Sequence, residues 1–562
     1  MRSLQPGTCG LGVPHWACPT IHVKIEPGDP PRVNDQFELK IFHYHYHTGG
    51  VSTVVRQAIR AFRDHLPEIR SVELVAGAIP REFRSHIEDH GGTCTEMPQI
   101  GYRQNAEDPP HQNRKTVARE ADKLAEILLR SFGSENSVWW VHNYHLGKNV
   151  VFTQALLNIM HSDRSQRIIL QIHDFPECGR FGNLAALRQA LSLDPYPVSP
   201  WVRYTVLNPR DREILIAAGI PEQSVFLLEN PVFRGPDPER GEAIRPVLQR
   251  LFGDEFPRFD PRAPLLLYPI RTIRRKNALE ALLLCLLLER EANILITLPG
   301  TSVSERPYSD LVEGLFAEQL CPGLWGIGSK SQNQALSFED LVAASDLVLS
   351  TSVQEGFGYL FVNSLLWSLP LAARDLDTLA GLKDLFHGHP AHFYDTIRVP
   401  VLDPPKVAEA YRGKIRGLSA LIPSEEQERL TAEVEQLLRD DRVDFSFLPV
   451  EAQEKLLREI AAAESPALRI CRRENRLTLS KIEEMLAGQI QSATPARSLK
   501  TDEVDRRFGA AAYAAGFRRI LESSGPLTGK PHEHLQNRTG SIAEKVQRAF
   551  LKIENLRLLY DY

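Results

Sequence analysis

The chain has 562 residues, long for a single hydrophobic core, so two or three domains are expected. Apolar residues make up 43% and charged residues 24%, an ordinary globular balance that excludes wholesale disorder and fibrous architectures. A net charge of −5 gives no general pull toward nucleic acid or anionic lipid, and seven scattered cysteines without a C-x-x-C pair read as reduced thiols in a cytoplasmic protein rather than a disulfide framework.

The first 36 residues are rich in Pro and Gly and have no continuous apolar stretch, so they read as an irregular lead and not as a signal peptide. From Phe37 short β-branched or aromatic runs alternate with longer helical periodicities, the pattern of βαβ units and parallel sheets. One series runs through FELKIFHYH, SVELVAG, SVWWVHN, RIILQIH and RYTVLN, with helices over VSTVVRQAIRAFRDHL and near Arg114 to Leu129. A Pro- and charge-rich stretch predicts a linker over 233–263. A second series restarts at PLLLYPI and continues through NILITLP, LWGIG, DLVLSTS and LPLAAR. The longest apolar run, Ala278 to Leu288, carries Glu280 and falls short of the roughly 20 residues a membrane span needs, so it predicts a buried helix.

Beyond about Val401 the strand patterns stop and amphipathic helices take over. In PSEEQERLTAEVEQLLRDD, Ser424 is expected as N-cap with Gln427 completing a capping box, and Leu430, Val434, Leu437 and Leu438 share a face. SIAEKVQRAFLKIENLRLLY repeats that spacing. The expected organisation is therefore an α/β protein with domains over 37–232 and 264–400 and a mainly helical extension over 401–562 that packs on the core.

Ligands of open parallel sheets sit beyond the carboxyl ends of the strands, so the turns that follow each strand carry the chemistry. After the first strand, Gly49 and Gly50 bring bare backbone to a helix N-terminus, suited to phosphate. After the first strand of the second series, Arg271, Arg274, Arg275 and Lys276 crowd one turn, and four cations at a helix start need an anion to offset them. Glu355 lies beside Gly356, Phe357 and Gly358 in a turn, where a carboxylate can accept from vicinal sugar hydroxyls. Asn363 lies about one helical turn further in, on a stripe with Leu360, Ser364 and Trp367. His43, His45 and His47 alternate without a carboxylate or cysteine at ligand spacing, so no metal is expected, whereas His173, directly after a strand, is placed as an orienting group.

Taken in order, GGVS, HD, VLNPRD, ENPV, RTIRRKN and SDLVLSTSVQEGFGYLFVNSLLWSLPLA resemble retaining nucleotide-sugar glycosyltransferases of the GT-B architecture, family 4 type, over Phe37 to Arg374. The resemblance implies two Rossmann-like domains facing a cleft, a nucleoside diphosphate sugar as donor, a hydroxyl acceptor, and no cofactor or metal. It implies that Arg271 and Lys276 bind the donor diphosphate beside Gly49 and Gly50. It further implies that Glu355 binds the donor sugar with backbone contacts from Gly356, Phe357 and Gly358, and that His173 lies near the reacting sugar. Asn363 stands where the second acid of the E-x7-E motif belongs. An amide still accepts from and donates to a diol, so an active hexosyltransferase is expected, with a catalytically lapsed binding or scaffold relative as the alternative.

Overall fold

The structure, a computed structural model, describes residues 36–103, 113–162, 165–235, 244–328, 336–462, 465–488, 497–523 and 541–557. The irregular lead read over 1–36 thus lies outside the described residues save for Gln36. Seven strands form the first sheet: β1 (Phe37–His43), β2 (Ile69–Ala76), β3 (Thr93–Glu96), β4 (Ser137–His142), β5 (Arg167–Ile172), β6 (Val202–Val206) and β7 (Val225–Leu227). They pair in parallel in the order β3-β2-β1-β4-β5-β6-β7. The second sheet repeats the plan with β8 (Leu265–Arg271), β9 (Asn293–Leu298), β10 (Gly323–Trp325), β11 (Leu347–Ser350), β12 (Leu371–Arg374) and β13 (Ala391–Tyr394). Its order is β10-β9-β8-β11-β12-β13, again parallel.

The chemistry of the strands explains why both sheets are parallel and covered on both faces. Every residue of β4, including Trp139 and Trp140, is buried, as expected for a central strand with helices on either side. Helix Gly50–His65 shows the other half of the arrangement: Val54, Val55, Ala58, Ile59, Ala61 and Phe62 form its buried stripe. Each fully buried large apolar side chain contributes roughly 1.5–3 kcal/mol relative to exposure. Helix Ala278–Leu287 is buried nearly all round, Glu280 included. Among the described residues no helix is long and apolar enough to cross a membrane.

Part of the segment before β8 packs into the second core. Helix Ile244–Phe252 buries Leu248 and Phe252, and Phe256 and Phe259 follow them into the same cluster. Past β13 the chain is mainly helical, but β14 (Arg398–Pro400) pairs antiparallel with β15 (Arg442–Asp444), so one short strand lies beyond Val401 where only helices were expected. The capping box at Ser424 also fails. Pro423, in extended backbone, takes the N-cap position, so Ser424 is already helical and its hydroxyl cannot reach the N3 amide; Gln427 Nε2 instead donates to the Ile422 carbonyl at 3.1 Å. A complete capping box does occur at Ser541, with Glu544.

The helical extension holds the two domains together. Helix Arg497–Phe508 packs on helix Tyr359–Trp367 of the second domain, and helix Ala510–Ser523 packs on helix Gly50–His65 of the first. At the joint, Gly509 has room for no side chain, because a Cβ there would meet the Asp505 carbonyl at 2.3 Å. Phe517 then lies 4.5 Å from Phe62 and 5.0 Å from Trp140, ring centre to ring centre. The last helices, Ile542–Phe550 and Ile553–Leu556, lie against helix Pro209–Ala218 of the first domain and helix Ser424–Leu437 respectively.

Candidate active site

The carboxyl ends of the two sheets face each other, and the glycine-flanked turn after β11 meets the loops after β5 and β6 there. In the second domain β8 ends at Arg271 and a tight turn leads through Arg274–Lys276 to Asn277, whose φ of 51° is left-handed. Tyr268 Oη donates to the Lys276 carbonyl at 2.6 Å and Thr351 Oγ1 to the Asn277 carbonyl at 2.9 Å, which ties this turn to the one after β11. Lys276 Nζ donates to Glu355 Oε1, while Arg275 Nη1 lies 3.7 Å from Glu355 Oε2 and donates to the Gln354 carbonyl at 3.3 Å. Burial alone would raise the Glu355 carboxyl, but Lys276 and Arg275 hold it below its ordinary range, so it is ionised. The same burial draws Lys276 below the usual ammonium range against the pull of Glu355.

The four cations of this turn separate into two kinds. Arg274 is buried, and its Nη2 donates to the carbonyls of Ser446 and Leu448 at 3.3 and 3.4 Å, so it anchors the extension and does not belong to an anion cluster. This corrects the expectation of four cations crowding one site. The structural reason is that the short helical turn points successive side chains to different sides. Arg271 stays half-exposed, with Nη2 3.2 Å from Glu305 Oε1.

On the first-domain side, His173 follows β5. Its backbone amide donates to Asn143 Oδ1 at 2.8 Å, and its Nε2 lies 2.9 Å from His142 Nδ1, so one ring nitrogen donates to the other. Burial pushes the His173 pKa down to about 4, with Asp174 opposing, so the imidazole is neutral at physiological pH. Asp174 is joined to Arg180 at 3.0 Å. Although burial works to raise its carboxyl, Arg180 in the first domain and Arg275 in the second hold it below its ordinary range. Arg180, Asp174, Arg275, Glu355 and Lys276 thus form a row of alternating charge that crosses the cleft.

The glycines have separate reasons. A Cβ on Gly356 would lie 3.0 Å from the His173 carbonyl, and Asn208 Nδ2 donates to the Gly356 carbonyl at 2.9 Å, so the domains touch at this turn. Gly358 has φ +83°, and a Cβ there would meet Leu379 at 2.7 Å. Phe357 is buried and makes an edge contact with Phe508 of the extension. Gly49 caps helix Gly50–His65 without a side-chain partner, and Gly50 has open space where a side chain would be. Asn363 is half-buried one turn into helix Tyr359–Trp367, and its side chain makes no hydrogen bond to a described residue. Beside Glu355 the cleft widens into a cavity of about 660 Å³, floored by Gln354, Glu355 and Asp375 and walled by Arg210, Phe550 and Arg557.

Sequence reasoning missed Arg180 and Asp174 and did not single out Arg275 from its neighbours. The dipeptide His-Asp directly after a strand was the available signal for Asp174. Arg180 lies in the same loop but carries no local mark.

No protein-family model matches the chain. A mannosylglucosyl-3-phosphoglycerate synthase from Petrotoga mobilis is 30% identical over 545 residues, covering 93% of this chain and 99% of the relative. Among solved structures, the lipopolysaccharide outer core galactosyltransferase WaaB is 12% identical over 87% of this chain and 99% of its own, with a TM-score of 0.45. HepE of Anabaena, crystallised with UDP, is 13% identical over 87% of this chain and 100% of its own, with a TM-score of 0.44.

Proposed function

This chain belongs to the family of the Petrotoga mobilis mannosylglucosyl-3-phosphoglycerate synthase and is a glycosyltransferase of GT-B type; on that premise we propose that it is a retaining enzyme of the E-x7-E, family 4 kind. It moves a hexosyl group, mannosyl by analogy with the relative's product, from a nucleoside diphosphate to a hydroxyl of a glucosyl-3-phosphoglycerate. The observation that supports this reading is the charge row in which Lys276 and Arg275 converge on Glu355 opposite His173 and Asp174.

In the proposed reaction the bond from the sugar to the leaving phosphate lengthens, the sugar gains oxocarbenium character, and negative charge gathers on the diphosphate. An ammonium has three donors, so Lys276 can keep Glu355 and still donate to phosphate oxygens. Arg271 and the backbone at Gly49 and Gly50 complete the cradle. Fixed donors of this kind stabilise the transition state because they need no reorganisation as charge develops. Glu355, ionised and oriented by two cations, accepts from hydroxyls of the donor sugar, and Asn363 reads the ribose diol. The neutral His173 ring is a hydrogen-bonding partner for the reacting sugar and not a cation. The departing phosphate takes the acceptor proton, so no separate base is assigned.

The test is to incubate the purified protein with a panel of nucleoside diphosphate hexoses and glucosyl-3-phosphoglycerate, and to determine product mass and anomeric configuration by mass spectrometry and NMR. Transfer with the donor's α configuration preserved supports the reading. Absence of transfer from every donor, or inversion, overturns it.

A further inference from the structure

Three first-domain loops, of which only the one after β5 enters the mechanism above, through His173 and Asp174, converge on the lip of the cleft. The loop after β3 carries Tyr102, the loop after β4 carries Lys148, and the loop after β5 carries Arg180. They are fixed to one another. Asn149 Nδ2 donates to the carbonyls of Gln99 and Gly101 at 2.9 and 2.8 Å, the Arg103 amide donates to the Lys148 carbonyl at 3.1 Å, and Asn183 Nδ2 donates to the Leu146 carbonyl at 2.7 Å. Gly147, at φ +67°, lies so close to the Asn183 carbonyl that a Cβ would approach it to 2.6 Å. That contact sets the direction in which Lys148 leaves the loop. Its ammonium lies 5.5 Å above the centre of the Tyr102 ring.

The result is two like charges held near each other on rigid backbone. Burial draws Lys148 below the ordinary ammonium range; Arg180 lowers it further, while Glu305, from the opposite side of the cleft, works against both. Tyr102 in turn feels Arg180 and Asp174 from its own domain and Arg271 from the diphosphate turn. Arg180 is already paired with Asp174 at 3.0 Å, and an incoming anion at the lip would offset the repulsion that Arg180 still exerts on Lys148.

We propose that Lys148 and Arg180, with Tyr102 as a wall, form the subsite for the acidic end of the acceptor, a small molecule that carries both a phosphate and a carboxylate. The inference rests on the function proposed above and deepens it, because it assigns acceptor selection to the first-domain lip. Arg180 provides planar paired donors for one acid group and Lys148 a mobile point charge for the other. The acceptor's sugar then extends toward His173, at the other end of the same loop.

Binding of 3-phosphoglycerate, followed by titration calorimetry, tests the subsite without requiring any transfer. The wild-type protein is expected to bind it, Lys148→Met to weaken it by about tenfold or more, as lost hydrogen bonds to charged groups do, and Lys148→Arg to retain most of the affinity. Arg180→Gln, measured in the same way, is expected to show the same loss, and the melting temperature of each variant separates lost binding from lost folding. No binding by the wild type at millimolar ligand, or equal affinity in wild type, Lys148→Met and Arg180→Gln, overturns the proposal. Failure of sugar transfer with this binding intact would instead count against the proposed reaction alone.

Discussion

Two clusters of ionised side chains lie at the carboxyl end of the second sheet, and they have opposite characters. In the deeper one Arg374 is clasped between Glu280 and Asp444, with side-chain exposures of 2%, 0% and 6%. Its guanidinium donates at 3.2 and 2.5 Å to Glu280, at 2.7 and 2.9 Å to Asp444 and at 2.8 Å to the Asp395 carbonyl, while Tyr394 and Asn277 donate to Glu280 at 3.0 and 2.7 Å. In the shallower one Lys276 and Arg275 meet Glu355 at exposures of 16%, 28% and 11%, and the two cations keep donors in reserve. Both clusters use the same chemistry. The first is saturated within the protein and joins the extension to the second domain, whereas the second is open to an anion. Satisfaction of donors, more than the presence of charge, separates a structural ion cluster from a candidate catalytic one.

The comparison is most sharply broken by Arg374→Met. Removing Arg374 leaves Glu280 buried and uncompensated and Asp444 with Arg557 alone, 3.7 Å away, which costs about 3–5 kcal/mol, read as a lowered urea midpoint. A stability loss below 1 kcal/mol would mean the deep cluster is not what holds the extension. Lys276→Ala should do the reverse: a fall in transfer rate of about 10²-fold, about 3 kcal/mol on the barrier, with the urea midpoint nearly unchanged. Turnover close to wild type in that variant would remove Lys276 from the diphosphate clamp.

A third way to keep buried polar groups is seen in the first domain, where histidines are held neutral. Burial pushes His43 and His145 down to about 3, well below the ordinary imidazole value of 6.5. Their folded pKa values are depressed, so the unfolded chain takes up protons first as pH falls. The stability they contribute is complete above about pH 6.5 and is lost progressively toward pH 3. Neither nitrogen of His145 has a partner among the described residues, and its ring packs against Phe175 and Tyr196. His145→Leu should therefore flatten the stability profile between pH 6.5 and 5.5 by about 1 kcal/mol, measured by chemical denaturation across that range. An unchanged slope would show that His145 does not titrate on unfolding.

The smallest effect expected is at Asn363. Restoring the acid with Asn363→Glu should change nucleotide affinity by about fivefold, about 1 kcal/mol, and leave the preference among hexoses unaltered. Titration of both proteins with sugar nucleotides that differ in base and sugar would show this, and identical affinities across the panel would make Asn363 a packing residue only.

What was legible in the sequence were features with local signatures. The strands of both sheets that carry long apolar runs, the β8 turn with its basic residues and the glycine-flanked Glu355 could be placed because the period of the pattern and the turn chemistry lie within a few residues. Strand β3, TCTE, was not legible because it is short, polar and at a sheet edge. Neither was the division between Arg274 and Arg275. Adjacent arginines look alike until Ser446 and Leu448, more than 170 positions away, turn out to accept from one of them. The partnership of Asp174 with Arg275 and the meeting of Tyr102, Lys148 and Arg180 are also products of tertiary folding.

The central claim is that a pyrophosphate lies between the turn beginning at Arg271 and the glycine bend at Gly49. It is tested most directly by a crystal structure of the protein soaked with its sugar nucleotide donor. The account predicts phosphate oxygens within hydrogen-bonding distance of Lys276 and Arg271, with the sugar hydroxyls on Glu355. Density for the nucleotide elsewhere, or a bound diphosphate that touches neither cation, would contradict it.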